Sequence, residues 1–100
     1  MQFTIKKCKS FKERFLGMMF IKEKKEIGYY FHHCHSIHTF FCYFPLDIVL
    51  LDKKDDIIEI KKNIKPWRIY FFKCYSILEI PSGKMPITIK EHIKNMNKKS

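Results

Sequence analysis

Between Cys34 and Asp52 the chain reads CHSIHTFFCYFPLDIVLLD, and this stretch constrains the fold more than any other. From Ile37 to Phe44 apolar residues occupy both alternate positions. Successive side chains of an extended backbone point to opposite faces, so the pattern predicts a strand covered on both sides. Pro45 has no amide to donate to a ladder, which implies a bulge, bend or edge at that point. Leu46 to Leu51 then resumes as a strand. The polar run Asp52-Lys53-Lys54-Asp55-Asp56 turns the chain into Ile57 to Lys61, so the two segments are expected to form a hairpin.

The same patterning extends outward. Met1, Phe3 and Ile5 alternate with Gln2, Thr4 and Lys6, as in a strand with one wet face. Ser10-Phe11-Lys12-Glu13 has the form of a capping box, in which serine and glutamate satisfy amides left over at a helix start. Phe11, Phe15, Met18 and Met19 then fall at helical spacing and predict one apolar stripe, with Gly17 ending the helix. Lys22 to Ile27 reads as a charged loop and Asn63 to Arg68 as an irregular crossing in which Trp67 docks on a neighbour. Tyr75 to Ile80 reads as a strand closed by the turn Pro81-Ser82-Gly83-Lys84. Ile69 to Phe72 and the segment from Thr88 fit either strand or another conformation, the latter having Ile89, Ile93 and Met96 at helical spacing.

One hundred residues fit a single domain with one modest core. The aromatic fraction of 16% favours pleated surfaces. The expected architecture is mostly β (α+β), a small sandwich or open barrel with one short helix near the N-terminus. It spans residues 1–96, with 97–100 as a frayed tail. The net charge of +10 raises polyanion binding through the Lys-rich surface as one reading. Only Arg14 and Arg68 among the twenty basic residues are arginine, the side chain that grips phosphate bidentately, and the lysines match no docking motif. Nucleic acid is therefore disfavoured, and the partner is left open between a small molecule and a protein. Cys8, Cys34, Cys42 and Cys74 lack the close paired spacing of zinc ribbons. No apolar run approaches the length of a membrane span, and MQFTIKKCKS lacks the apolar stretch of a secretory signal. A cytoplasmic chain with reduced thiols is the expectation.

Four motifs in order resemble one family. They are Glu13, Arg14, Gly17, Met18 and Phe20; then Cys34, Ser36, Ile37, His38, Thr39, Phe40, Phe41, Pro45 and Asp47; then Lys65-Pro66-Trp67-Arg68; then Leu78-Glu79-Ile80 with Gly83. On these the chain resembles the domain of unknown function 192 family. The resemblance implies a small β-rich domain with a short helix and leaves the biochemical role open. Two departures stand out. Cys42 and Tyr43 replace the family's methionine and following basic residue, and Lys90-Glu91 stands about where a Gly-Asp step is usual.

The candidate site comprises Arg14, Cys34, His38, Thr39, Asp47 and Glu79. An arginine in an apolar helix and an acid in a strand are costly to bury unless they meet, so Arg14 is expected to pair with Asp47 or Glu79, and the plain reading of that pair is structural. His32, Cys34 and His38 share one parity on an extended strand and form a conceivable zinc or copper set, against the plain reading of a backbone-bonded His38 and surface histidines. Cys34 with His38 could also act as thiolate and base. Phe40, Phe41, Tyr43, Phe44, Trp67 and Tyr70 fit either ordinary core or the wall of an apolar pocket. A non-enzymatic binding or accessory module is the expected function, and a metal- or thiol-dependent enzyme the alternative.

Overall fold

The early alternation produces β1 (Thr4–Lys7), with Thr4 and Lys6 exposed and Ile5 turned inward. The computed structural model describes residues 3–98, so Met1 and Gln2 of the expected strand lie outside the described residues. The capping box forms as the sequence predicts. Ser10 Oγ accepts from the Glu13 amide at 3.1 Å, and Glu13 Oε1 accepts from the Ser10 amide at 3.1 Å. This starts α1 (Phe11–Leu16), and Gly17 closes it at φ 48°, a left-handed conformation that suits a residue without Cβ.

The remaining elements are β2 (Ile27–Phe31), β3 (Ser36–His38), β4 (Leu46–Leu51), β5 (Ile57–Ile64), β6 (Ile69–Phe71), β7 (Ser76–Pro81) and α2 (Ile89–Lys98). The fold is mostly β. One five-stranded sheet has the order β1-β2-β7-β4-β5, and β3 pairs with β6 in a separate ribbon. The β1–β2 pair is parallel and the other pairs are antiparallel. The large sheet does not close, because β1 and β5 are its edges.

Strands β4 and β7 are buried along their whole length. Their alternate side chains feed two clusters on opposite faces. Val49, Leu51, Leu78 and Ile80 join Phe3, Tyr30 and the α2 residues Ile89, Ile93 and Met96. Leu46, Ile48, Leu50 and Ile77 pack with Met18, Ile37, Cys42 and Phe44. At Gly28 a Cβ would stand 2.9 Å from Leu78 Cδ1 and 3.0 Å from Phe3 Cζ, so the first cluster closes over a strand position that only glycine fits without repacking.

Several expectations are corrected. The strand expected over Ile37 to Phe44 ends at His38. Thr39 Oγ1 donates to the Lys65 carbonyl at 2.8 Å and accepts from the Arg68 amide at 3.0 Å, so it binds the chain to the 65–68 crossing and bends it away. Phe41 then takes φ 61°. The apolar stripe on α1 is not a core stripe: Met18 is buried, but Phe11 is 86% and Phe15 56% exposed. Near Pro45 the irregularity falls just beyond the proline, where Lys62 and Asn63 of β5 together oppose Asp47, a β-bulge. The C-terminal segment is a helix through Lys98, so Asn97 and Lys98 of the expected frayed tail are helical. Lys99 and Ser100 lie outside the described residues. Among the described residues no helix is long and apolar enough to cross a membrane.

Candidate functional site

Strand parity decides which acid meets which neighbours. Across β4 and β7, Asp47 pairs with Ile80 and Ile48 with Glu79. Glu79 therefore shares a face with Ile77 and lies on the side of Met18 and Ile37, whereas Asp47 points to the side of Val49 and Leu51. The two carboxylates stand on opposite faces of one sheet.

On the Glu79 side a cleft of about 290 Å³ opens between α1 and the β3–β6 ribbon. Arg14, Cys34, His38 and Glu79 all line it. Phe15, Gly17, Phe31, Ser36, Ile69 and Phe71 complete most of the wall; the sequence marks Phe15 through the helix stripe and Gly17 and Ser36 through the family motifs, and carries no signal for Phe31, Ile69 or Phe71 as site residues. Glu79 is 4% exposed, and among the described residues no hydrogen bond or ion pair reaches its carboxyl. Burial alone pushes its pKa up to about 8, because a low-dielectric surrounding disfavours the charged form. The end of α1 passes so close that a Cβ on Gly17 would sit 3.3 Å from Glu79 Oε1.

The other lining groups are spoken for by backbone. Arg14 pairs with neither acid, which corrects the expected ion pair. Its Nη1 donates to the His32 carbonyl at 2.8 Å and its Nη2 reaches the His33 carbonyl at 3.4 Å, tying α1 to the turn after β2. His38 Nε2 lies 3.0 Å from the Phe15 carbonyl, and since a carbonyl only accepts, this nitrogen carries the proton. His38 Nδ1 is buried with no partner. The Cys34 thiol donates to the Ser36 carbonyl at 3.1 Å, and burial raises its pKa above the ordinary thiol value. Cys34 and His38 thus face one cleft without bonding to each other. In consequence, iodoacetamide at pH 7 is expected to modify Cys34 about tenfold more slowly in the folded protein than in the urea-unfolded chain. Peptide mass mapping reads the rates, and faster labelling in the folded state would point to an activated thiol.

Thr39 and Asp47 lie outside this cleft. Thr39 holds the 65–68 crossing, and Asp47 accepts from the amides of Asn63 at 3.0 Å and Gly83 at 3.2 Å. His32 is also separate. Its Nδ1 lies 3.2 Å from the Tyr30 hydroxyl, beside a second cleft that Asp55 lines. Among the described residues no group of three or more His, Cys, Asp or Glu is placed to hold a metal, and His32, Cys34 and His38 do not converge. All four cysteines are free thiols.

An aromatic ridge runs from this cleft across the surface. Rings of Phe11 and Phe15, Phe15 and His38, and His38 and Phe40 follow at centroid separations of 6.4, 5.5 and 5.6 Å. Phe40 continues to Trp67, and Trp67 to Phe41 at 4.8 Å. Phe71 and Trp67 remain 75% and 58% exposed, so these rings are not ordinary core.

The fold and cleft define a class: a mostly-β domain of an open five-stranded sheet and a two-stranded ribbon, with an unpaired acid under an aromatic rim. The chain belongs to the domain of unknown function 192 family, described as an uncharacterised ACR, which it matches over residues 1–92. Two solved structures share its fold. One is a protein of unknown function from Novosphingobium aromaticivorans, 22% identical with TM-score 0.67, covering 81% of this chain and 64% of that one. The other is a putative transcription regulator from Sinorhizobium meliloti, 18% identical with TM-score 0.70, covering 95% of this chain and 74% of that one. The chain therefore spans a little under two thirds of the first of these relatives. No curated protein matches it.

Proposed function

We propose that this chain is a non-enzymatic binding module whose site is the cleft over Glu79. The observation that carries the reading is the Glu79 carboxyl, without a partner among the described residues, in a recess whose walls are mostly apolar. A buried polar group without a partner costs free energy, and a core selected only for stability would place an apolar residue there. A ligand with an apolar stem and one polar head supplies what the recess lacks: stem against Phe15, Ile69 and Phe71, head at Glu79. Small-ligand pockets are built this way, mostly apolar walls with few polar groups. Against the thiol-enzyme alternative stand the thiol bonded to Ser36 and the imidazole bonded to Phe15, each committed to backbone rather than to the other.

The test is a titration with 1-butanol followed by amide chemical shifts. Perturbations are expected to concentrate on Gly17, Ile37, Ile69 and Phe71. Phe71→Ala removes a wall that is 75% exposed, so the fold should persist while the butanol response weakens about three- to tenfold, as loss of one aromatic contact implies. Shifts scattered over the molecule, or a variant that binds as well as the parent, would remove the cleft from consideration.

A further inference from the structure

Among the described residues no group donates to or accepts from the Glu79 carboxyl, which lines the cleft. His38, also in the wall, has its Nε2 proton on the Phe15 carbonyl and its Nδ1 buried. The one cation in the wall, Arg14, is committed to the His32 and His33 carbonyls and makes no ion pair with Glu79. Aromatic rings of Phe15, Phe31 and Phe71 line the same space, and ring faces attract cations. Uncharged donors such as hydroxyls satisfy one acceptor but leave the buried acid neutral. A cation with several N–H donors on an aliphatic stem meets the acid and the rings at once.

We propose that the cleft selects a primary alkylammonium group, seated with its N–H donors on Glu79 and its stem among Phe15, Phe31 and Phe71. This deepens the binding-module reading and rests on it. A free amine and a lysine side chain both carry this ammonium, and the chemistry recognised is the same. With burial pushing the Glu79 pKa up to about 8, the carboxyl of the empty cleft is expected to be mostly protonated at pH 7, and seating the cation then expels that proton to solvent and leaves a carboxylate–ammonium pair. Affinity therefore rises with pH until Glu79 is ionised beforehand. The titratable groups around Glu79 are Arg14 from α1, Cys8 after β1, Tyr29 from β2, Cys34 and His38 on either side of the β3 start, and Cys42. β4 and β6 contribute only apolar residues to this neighbourhood, Ile48, Ile69 and Phe71.

The experiment compares n-butylammonium with 1-butanol, which share a stem, by calorimetry and amide shifts at pH 7 and pH 9. An alkylammonium keeps its charge over this range, as lysine does with a pKa of about 10.4. The expected result is butylammonium binding about tenfold tighter at pH 9 than at pH 7, with proton release seen as a buffer-dependent enthalpy, while butanol is insensitive to pH. Glu79→Gln should abolish both the preference for the amine and its pH dependence, with butanol binding retained. An N-acetylated tetrapeptide with one lysine, set beside its acetyl-lysine form, distinguishes protein-borne from free amines. If butanol shifts the cleft amides and butylammonium binds no better, or shows no pH dependence, the ammonium assignment is overturned and the binding cleft stands. If neither probe touches those amides, both fall.

Discussion

Glu79→Gln is expected to stabilise the folded protein by about 3 kcal/mol at pH 7, an unusual outcome for a substitution at a 4% exposed position. The cause is the raised pKa. Below the ordinary carboxylate value of 4.5 the group is protonated in both folded and unfolded chains, and its full contribution is present. As pH climbs from 4.5 toward about 8, the unfolded carboxyl ionises while the folded one stays neutral, and stability is lost at about 1.4 kcal/mol per pH unit. Above that the loss is complete. Glutamine does not titrate, so the difference between the two stability curves should grow from near zero at pH 4 to a plateau above pH 8. Urea unfolding of both proteins across this range measures it. Parallel curves would mean that the carboxyl is solvated or paired in solution, and the account of the cleft would lose its foundation.

The second large effect falls on the acid across the sheet. Asp47→Ala is expected to cost about 3 kcal/mol, because one 4% exposed carboxylate serves two backbone amides and hydrogen bonds to charged groups contribute about 1.5–3 kcal/mol each. Both amides sit at left-handed corners, Asn63 at φ 56° in the β5 bulge and Gly83 at φ 81° in the turn after β7. Asp47 thus fixes two bends that flank the central strands. Denaturant melts measure the loss, and butanol-induced shifts of the cleft amides should persist in the variant under folding conditions. A stable Asp47→Ala protein that no longer responds to butanol would reverse the roles assigned to the two acids.

Local chemistry was the most legible part of the sequence. The capping box at Ser10 and Glu13, the β4–β5 hairpin and the turn at Gly83 each depend on residues within a few positions of one another. The misreadings share a cause. Helical spacing of Phe11 and Phe15 shows which side chains lie on one side of α1, but only the tertiary arrangement shows that Phe11 and Phe15 stay largely exposed there. The aromatic run through Phe44 suits a strand until Thr39, through partners 26 and 29 residues away, bends it. The sequence offers Asp47 and Glu79 alike as partners for Arg14, both being acids in apolar strands, and the register that separates them is a pairing between segments some thirty residues apart. Arg14, Cys34, His38 and Glu79 do line one cleft. Phe71 and Ile69, in a segment of ambiguous pattern, carried no signal that would have placed them beside those four.

Helix α1 buries none of its own six residues. It is held by the Arg14 guanidinium on two carbonyls of the turn after β2 and by the His38 imidazole on the Phe15 carbonyl, with Met18 buried just beyond its end. Segments with few apolar contacts open locally at small free-energy cost, without the whole chain unfolding. The wall that α1 gives the recess is therefore expected to open more readily than the sheet beneath it, and hydrogen exchange should run faster in residues 11–16 than in the central strands.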